Sequence, residues 1–359
     1  MKKVILGTTA LVAASALTAG SASAAEKIKL NVGGYLQSSF VVADYDDPSN
    51  SDFLPTDIRH EGEVFFTGET TLDNGLTFGV NIQLEAYTAS DQIDETFMYV
   101  EGNFGRVNVG SEDSASYLMH YNAPSPVPAW GLSSPNANAS GFTTPSTLTN
   151  ELGDTDKITY FTPRFAGFQI GASYTPDGDK ETTSATVYAP IATEGTADEA
   201  YSLGVNYVQD FDGFNVAASL GYQVVTRTGA GVDDTDEISA GVQLGFAGFT
   251  VGGAYKYTDN DSTVAAGTDN DERQDWNLGV TYGQGPWKVG LMYAGVDFED
   301  DSAATDGDVH AFVLGGQYVL GPGVTAFGGV QYWDADGNLE TATTGEDATI
   351  FFVGTALSF

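Results

Sequence analysis

The chain has no cysteine, only 13 lysines and arginines in 359 residues, and three histidines. Without cysteine there is neither a disulfide frame nor a thiolate metal site, so an exported chain of this length must hold together by other means. Basic residues are too few, against 49 acidic ones, for phosphate-backbone binding, which excludes nucleic acid as a partner. Catalytic signatures are missing as well: no Gly-x-Ser-x-Gly elbow, no Gly-Lys phosphate loop and no His-Glu-x-x-His pair. His60, His120 and His310 lie far apart, with no evident Ser and Asp partnership. Past the N-terminus, no stretch approaches the roughly 18 apolar residues of a membrane-spanning helix. Any membrane crossing must therefore be made by strands.

What is present begins with "MKKVILGTTALVAASALTAGSASA", two lysines, an apolar stretch and a small-residue end. That is the layout of a secretory signal peptide, with cleavage expected after Ala24 and a mature chain of 25–359. Without Lys2 and Lys3, 11 basic residues face 49 acidic ones, a formal charge of −38. Aromatics at 12% and hydrophobics at 42% argue against disorder.

Period two dominates thereafter. "LTFGVNIQLEA" sets Leu76, Phe78, Val80, Ile82 and Leu84 on one face and polar or glycine residues on the other. About sixteen such segments run from 27–45 to 348–359. Their connections alternate between tight turns such as "DNG" (73–75) and long acidic loops such as "DYDDPSNSD" (44–52). This is the plan of an up-and-down antiparallel meander. A large soluble sandwich or solenoid competes with it. However, aromatics near strand ends suit membrane girdles, and inner faces rich in Gly, Ser, Thr, Asn and Gln suit a wet interior. An even number of strands also closes without an edge, as lipid demands. The reading is all-β: a 16-stranded antiparallel transmembrane β-barrel. The last strand, "ATIFFVGTALSF", stays apolar to Phe359 because its outer row must remain so until it leaves the bilayer.

Several stretches resemble the general-diffusion porins of Gram-negative outer membranes. They are the aromatic-ended "FFVGTALSF", "RHEGEVFFTGETTLDNGLTFGVNIQLEA" (59–86), "FMYVEGNFGRVNVGS" (97–111) and "DKITYFTPRFAGFQIGASYTP" (156–176). Between the last two, about 112–156 shows no alternation, and loops this long are usually functional. The resemblance implies that this third loop folds inward and narrows a channel, with Phe359 as an assembly signal. Tyr117, His120, Tyr121 and Trp130 are candidates to pack it on the wall. A solvated external loop is the alternative.

The resemblance further implies a field across the channel, basic wall against acidic loop. Lys29, Arg59, Arg106, Lys157, Lys256 and Lys288 fall on polar faces, as do the wall carboxylates Glu61, Glu63, Glu85 and Glu101. Glu112, Asp113, Glu151, Asp154 and Asp156 supply the acidic loop. The simpler role for each base is to balance a neighbouring carboxylate. Since charge in a pore selects by sign, the acidic excess predicts a preference for cations. Calcium is a weaker expectation, on the acidic runs that include Asp233, Asp234, Asp236, Asp297, Asp300 and Asp301; a solvated acidic surface is the alternative. No other cofactor is expected. Expected partners are outer-membrane lipid and lipopolysaccharide, small hydrophilic solutes and ions, and two further copies in a homotrimer. Glycine-rich faces at Gly315-Gly316 and Gly328-Gly329 would permit close approach of subunits. An adhesin acting through its acidic loops, or a hydrolytic barrel, would share the fold but not stepwise conductance.

Overall fold

A computed structural model describes residues 27–46, 54–86, 93–128, 131–132, 139, 141–178, 197–228, 234–259, 272–299, 306–337 and 347–359. The expected signal peptide (1–24), Trp130, Asp233, Asp300 and Asp301 lie outside them. Sixteen antiparallel strands close into a barrel in which each pairs with its sequence neighbours and the last with the first. They are β1 (Asn31–Asp46), β2 (Thr56–Thr71), β3 (Thr77–Glu85), β4 (Thr96–Gly102), β5 (Gly105–Ser111), β6 (Asp156–Phe161), β7 (Phe168–Thr175) and β8 (Ala197–Phe211), followed by β9 (Phe214–Arg227), β10 (Thr235–Phe246), β11 (Phe249–Asp259), β12 (Glu272–Gln284), β13 (Trp287–Glu299), β14 (Gly307–Gly321), β15 (Val324–Gly337) and β16 (Asp347–Ser358).

Closure is carried to the last residue. Tyr35 lies opposite Ser358 and Asp46 opposite Asp347, and beyond the strand Gly34 and Phe359 exchange both backbone hydrogen bonds at 3.0 Å. The seam is thus paired to its end, as a sheet in hydrocarbon requires. Alternation then sorts the side chains. On β16, Phe351, Val353, Leu357 and Phe359 are exposed, while Ala348, Ile350 and Phe352 are buried. The exposed row continues round the barrel through Leu220, Leu244, Leu278, Leu291 and Leu314, an apolar outer belt.

Aromatic pairs mark both rims of this belt. Phe211–Phe214 (4.8 Å), Phe249–Tyr282 (4.7 Å) and Trp287–Tyr318 (4.4 Å) stand at the short-turn end. Tyr174–Tyr201 (5.2 Å) and Tyr293–Phe312 (4.7 Å) stand towards the long-loop end. The tight turns use the expected chemistry; Gly75 of "DNG" adopts φ 82°, a left-handed value that glycine takes without strain.

The wall is uneven in height. β1 and β2 have 16 residues each, but β3 to β7 have only 9, 7, 7, 6 and 8. A strand needs about 9–11 residues to cross a bilayer, so most of this side falls short of it.

The inner rows are not uniformly polar, contrary to the expectation of a wet interior. On β13 to β16 and β1 they carry Met292, Val296, Phe298, Val309, Val313, Phe327, Trp333, Ile350, Phe352 and Val41, all buried in one apolar cluster. The cluster is possible because Ala123, Val127, Leu132, Ala139 and Phe142, from the β5–β6 connection, belong to it and cover that wall. Trp333 is fully buried, 5.9 Å from the ring of Phe142, with its Nε1 donating to Gln331 Oε1 at 3.0 Å. Truncating so large a buried side chain costs about 3–5 kcal/mol. Trp333→Ala is expected to lose that amount in urea unfolding from lipid vesicles.

Candidate functional site

The β5–β6 connection is the longest non-strand stretch described, and most of it has no regular ladder. Its one helical turn, α1 (Ala115–Leu118), is capped by Ser114, whose Oγ accepts from Tyr117 N at 3.4 Å. Buried irregular backbone needs hydrogen-bond partners from elsewhere. The inner rows supply them in strand order. Ala115 N donates to Ser173 Oγ on β7 (2.8 Å), Ser116 N to Ser202 Oγ on β8 (3.0 Å) and Tyr121 N to Ser219 Oγ on β9 (2.9 Å). Gln243 on β10 donates to Asn122 O (2.6 Å), Ala123 N to Asn277 Oδ1 on β12 (2.9 Å) and Lys288 Nζ on β13 to Ser125 O (3.0 Å).

Glycine makes the room. A Cβ at Gly171, Gly204, Gly279 or Gly315 would stand 2.6–2.9 Å from Met119 Sδ, Ala115 O, Pro124 O or Val127 Cγ1 respectively. At Gly241 it would meet the carbonyl oxygen of Tyr121 still more closely. Inner-facing glycines thus form a trough in which residues 115–127 lie. Gly315, expected from the sequence to ease subunit packing, instead accommodates Val127 on the inner side. Gly329 likewise packs against Leu314 O and the Phe352 ring.

Ion pairs fasten the returning half. Arg273 and Asp275 on β12 form a two-pronged pair, Nε to Oδ2 and Nη2 to Oδ1, each 2.8 Å. Asp275 also accepts from Ser146 N (2.8 Å), and Arg273 donates to Thr144 O (3.0 Å). Glu237 on β10 pairs with Lys256 at 2.9 Å and accepts from Glu151 N (3.2 Å) and Gln223 Nε2 (3.2 Å). Glu151 itself pairs with Arg227 on β9. Lys157 is buried, its Nζ held by the carbonyl oxygens of Glu112, Gly153 (3.1 Å) and Thr155 (2.6 Å). His120 packs against Thr147 (3.2 Å) and Ser219 (3.4 Å), and burial pushes its imidazole down to about 4, so it is neutral.

The expected basic wall therefore divides by position. Lys157, Lys256 and Lys288 hold the connection or its carboxylate partners. Arg59 is half-exposed near Asp57 (3.6 Å), and Lys29 is exposed just before β1. Arg106 lies over the Tyr99 ring at 3.7 Å, with Nε on Asn108 (2.7 Å) and Glu101 at 4.0 Å. On the inner row of β1 to β4, Tyr35 donates to Glu63 (3.0 Å) and Glu61 (3.3 Å), and Tyr99 to Glu69 (2.8 Å). Glu63, Glu85 and Asp94 bring carboxylate oxygens within 4.8 Å of one another, as do Glu95, Asp113 and Asp154. Asp156 opens β6 opposite Ser111.

Of the calcium candidates that are described, Asp234 accepts from Arg227 N (3.1 Å), Asp236 from the Tyr222 hydroxyl, and Asp297 faces Asp308 across β13–β14. They do not join either three-carboxylate group, because they stand on or beyond other strands. Asp94, Glu95, Arg227, Arg273 and Asp275 were not singled out from the sequence, and Glu237 only as the end of the acidic run that begins at Asp233. The inner-row parity of Arg227, Glu237, Arg273 and Asp275 was the available signal; their pairing with a distant loop was not.

A family model described as Gram-negative porin matches residues 7–338 of the chain. A curated relative, the monosaccharide porin of Halomonas sp, is 24% identical over 367 residues, covering 96% of this chain and 85% of its own. Among solved structures, an anion-selective porin from Comamonas acidovorans superposes with a TM-score of 0.64 at 20% identity, covering 93% of this chain and all of its own. The trimer form of OmpT, an outer membrane protein of Vibrio cholerae, gives 0.61 at 14% identity, again over 93% of this chain and all of its own.

Proposed function

The chain belongs to the Gram-negative porin family, and from that premise we propose that it passes small hydrophilic solutes passively and prefers cations to anions. It is an outer-membrane channel and not an enzyme. In this reading, the segment 112–156 narrows the bore, with its residues 115–127 in the glycine trough of β7 to β14. The passage then runs beside β1 to β5. Support for cation preference comes from that wall, where Glu61, Glu63, Glu69, Glu85 and Glu101 face only Arg59 and Arg106 from β2 to β5. Rings of carboxylate favour cations in a low-dielectric pore. The selectivity of the Comamonas porin is a property of that protein, whose identity to this chain is confined to 20%.

The observation that carries the proposal is the acid-rich inner row of β2 to β4. Reversal potentials across a planar bilayer in a potassium chloride gradient test it. A potential of cation-selective sign is expected, and one of anion-selective sign overturns the preference.

The short wall of β3 to β7 suits a side covered by a second copy rather than by lipid, in keeping with the trimeric Vibrio cholerae structure. The remaining outer belt then meets membrane lipid and lipopolysaccharide. Cleavage after Ala24 and a role for Phe359 in assembly complete the reading.

A further inference from the structure

We infer that Glu95, Asp113 and Asp154 form a divalent-cation site, of the calcium or magnesium class, that clamps the two roots of the β5–β6 connection to the wall. Their carboxylate oxygens lie within 4.8 Å of one another and come from three separate places: the residue before β4, the stretch after β5 and the stretch before β6. Three hard oxygen donors at that spacing suit calcium, which takes carboxylates from flexible positions. The inference rests on the channel reading only for its consequence, not for the site itself.

A second observation points to the same place. Thr96 pairs with Ser111 and Ser111 with Asp156. One position further, the same registers set Glu95, Glu112 and Thr155 abreast on the inner row. Glu112 is 1% exposed, yet its Oε1 has no hydrogen-bond partner; Oε2 takes the Asn108 amide at 2.8 Å. Thr155, 7% exposed, leaves its Oγ1 without a partner as well. Buried oxygens left in this condition are uncommon and call for an explanation such as an ion. The Lys157 ammonium, held on the carbonyls of Glu112 and Thr155, is electrostatically coupled to Asp154, Asp113, Glu112 and Glu95. Four carboxylates thus bear on that ammonium. A divalent ion bound there would tie the three chain segments together.

Terbium luminescence tests the site. Tyr117 stands in α1, four residues after Asp113, and serves as the candidate sensitiser of a bound lanthanide. The folded full chain in detergent is titrated with terbium and then with calcium. Saturable emission displaced by calcium is expected, with half-displacement at about 10⁻⁴–10⁻³ M, the range of extracellular sites. Asp113→Asn should weaken binding by about tenfold or more, since ligand charge sets affinity. Tyr117→Phe should dim the emission and leave calcium affinity unchanged. Glu95→Gln, outside the connection, keeps the question open if Asp113→Asn fails to fold, which heat-modifiable gel mobility reveals. Equal terbium affinity in the wild type and in the folded variants overturns the site. Protein that conducts without binding terbium defeats the site alone; protein that binds terbium without conducting defeats the channel reading alone.

Discussion

Arg273→Met is expected to cost about 3–5 kcal/mol and to raise single-channel noise, because it leaves a carboxylate buried without its countercharge. Asp275 is fully buried, and Arg273 supplies both of its side-chain contacts; Ser146 N is the remaining donor. The same arginine holds Thr144 O, so one substitution frees two points of the connection. Asp275→Asn in the Arg273→Met background should recover part of the stability by removing the buried charge. Urea unfolding in vesicles and planar-bilayer recordings measure the two effects. If Arg273→Met unfolds like the wild type, the pair does not hold the connection in the way its geometry implies.

Gly241→Val is expected to disturb the channel as strongly from a position that carries no charge. Its side chain would have to occupy the space of the Tyr121 carbonyl, a backbone atom that cannot turn aside. Overpacking of this kind costs about 1–3 kcal/mol. Here it should be relieved by the connection shifting towards the opposite wall, changing conductance by a measurable step. Gly283→Ala is the control: the nearest atom to its Cβ is Trp287 O at 3.8 Å, an ordinary contact, so conductance should stay at the wild-type value. A Gly241→Val channel of unchanged conductance would show that residues 115–127 do not bound the passage.

Particular residues show how far the sequence could be read. Leu278 and Asn277 are neighbours, and alternation alone assigns the first outward and the second inward; the structure leaves Leu278 60% exposed and Asn277 1%. Phe359, on the outer row as alternation assigns it, is exposed and shares the closing seam with Gly34. Ile350 and Phe352, by contrast, lie on the row that alternation assigns to water and are nevertheless dry. Lys256 was legible as inward-facing, but not as the partner of Glu237, nor Glu237 as the acceptor for Glu151 N.

The sequence by itself determined the closed sixteen-stranded sheet and its oily exterior, because a period of two is local and each strand announces its own faces. Which inward residues stay wet was decided only in three dimensions. Ser116 meets Ser202 across 86 positions and Ala123 meets Asn277 across 154, contacts that no short-range pattern encodes. Those contacts convert much of the inner wall into a bed for one long connection.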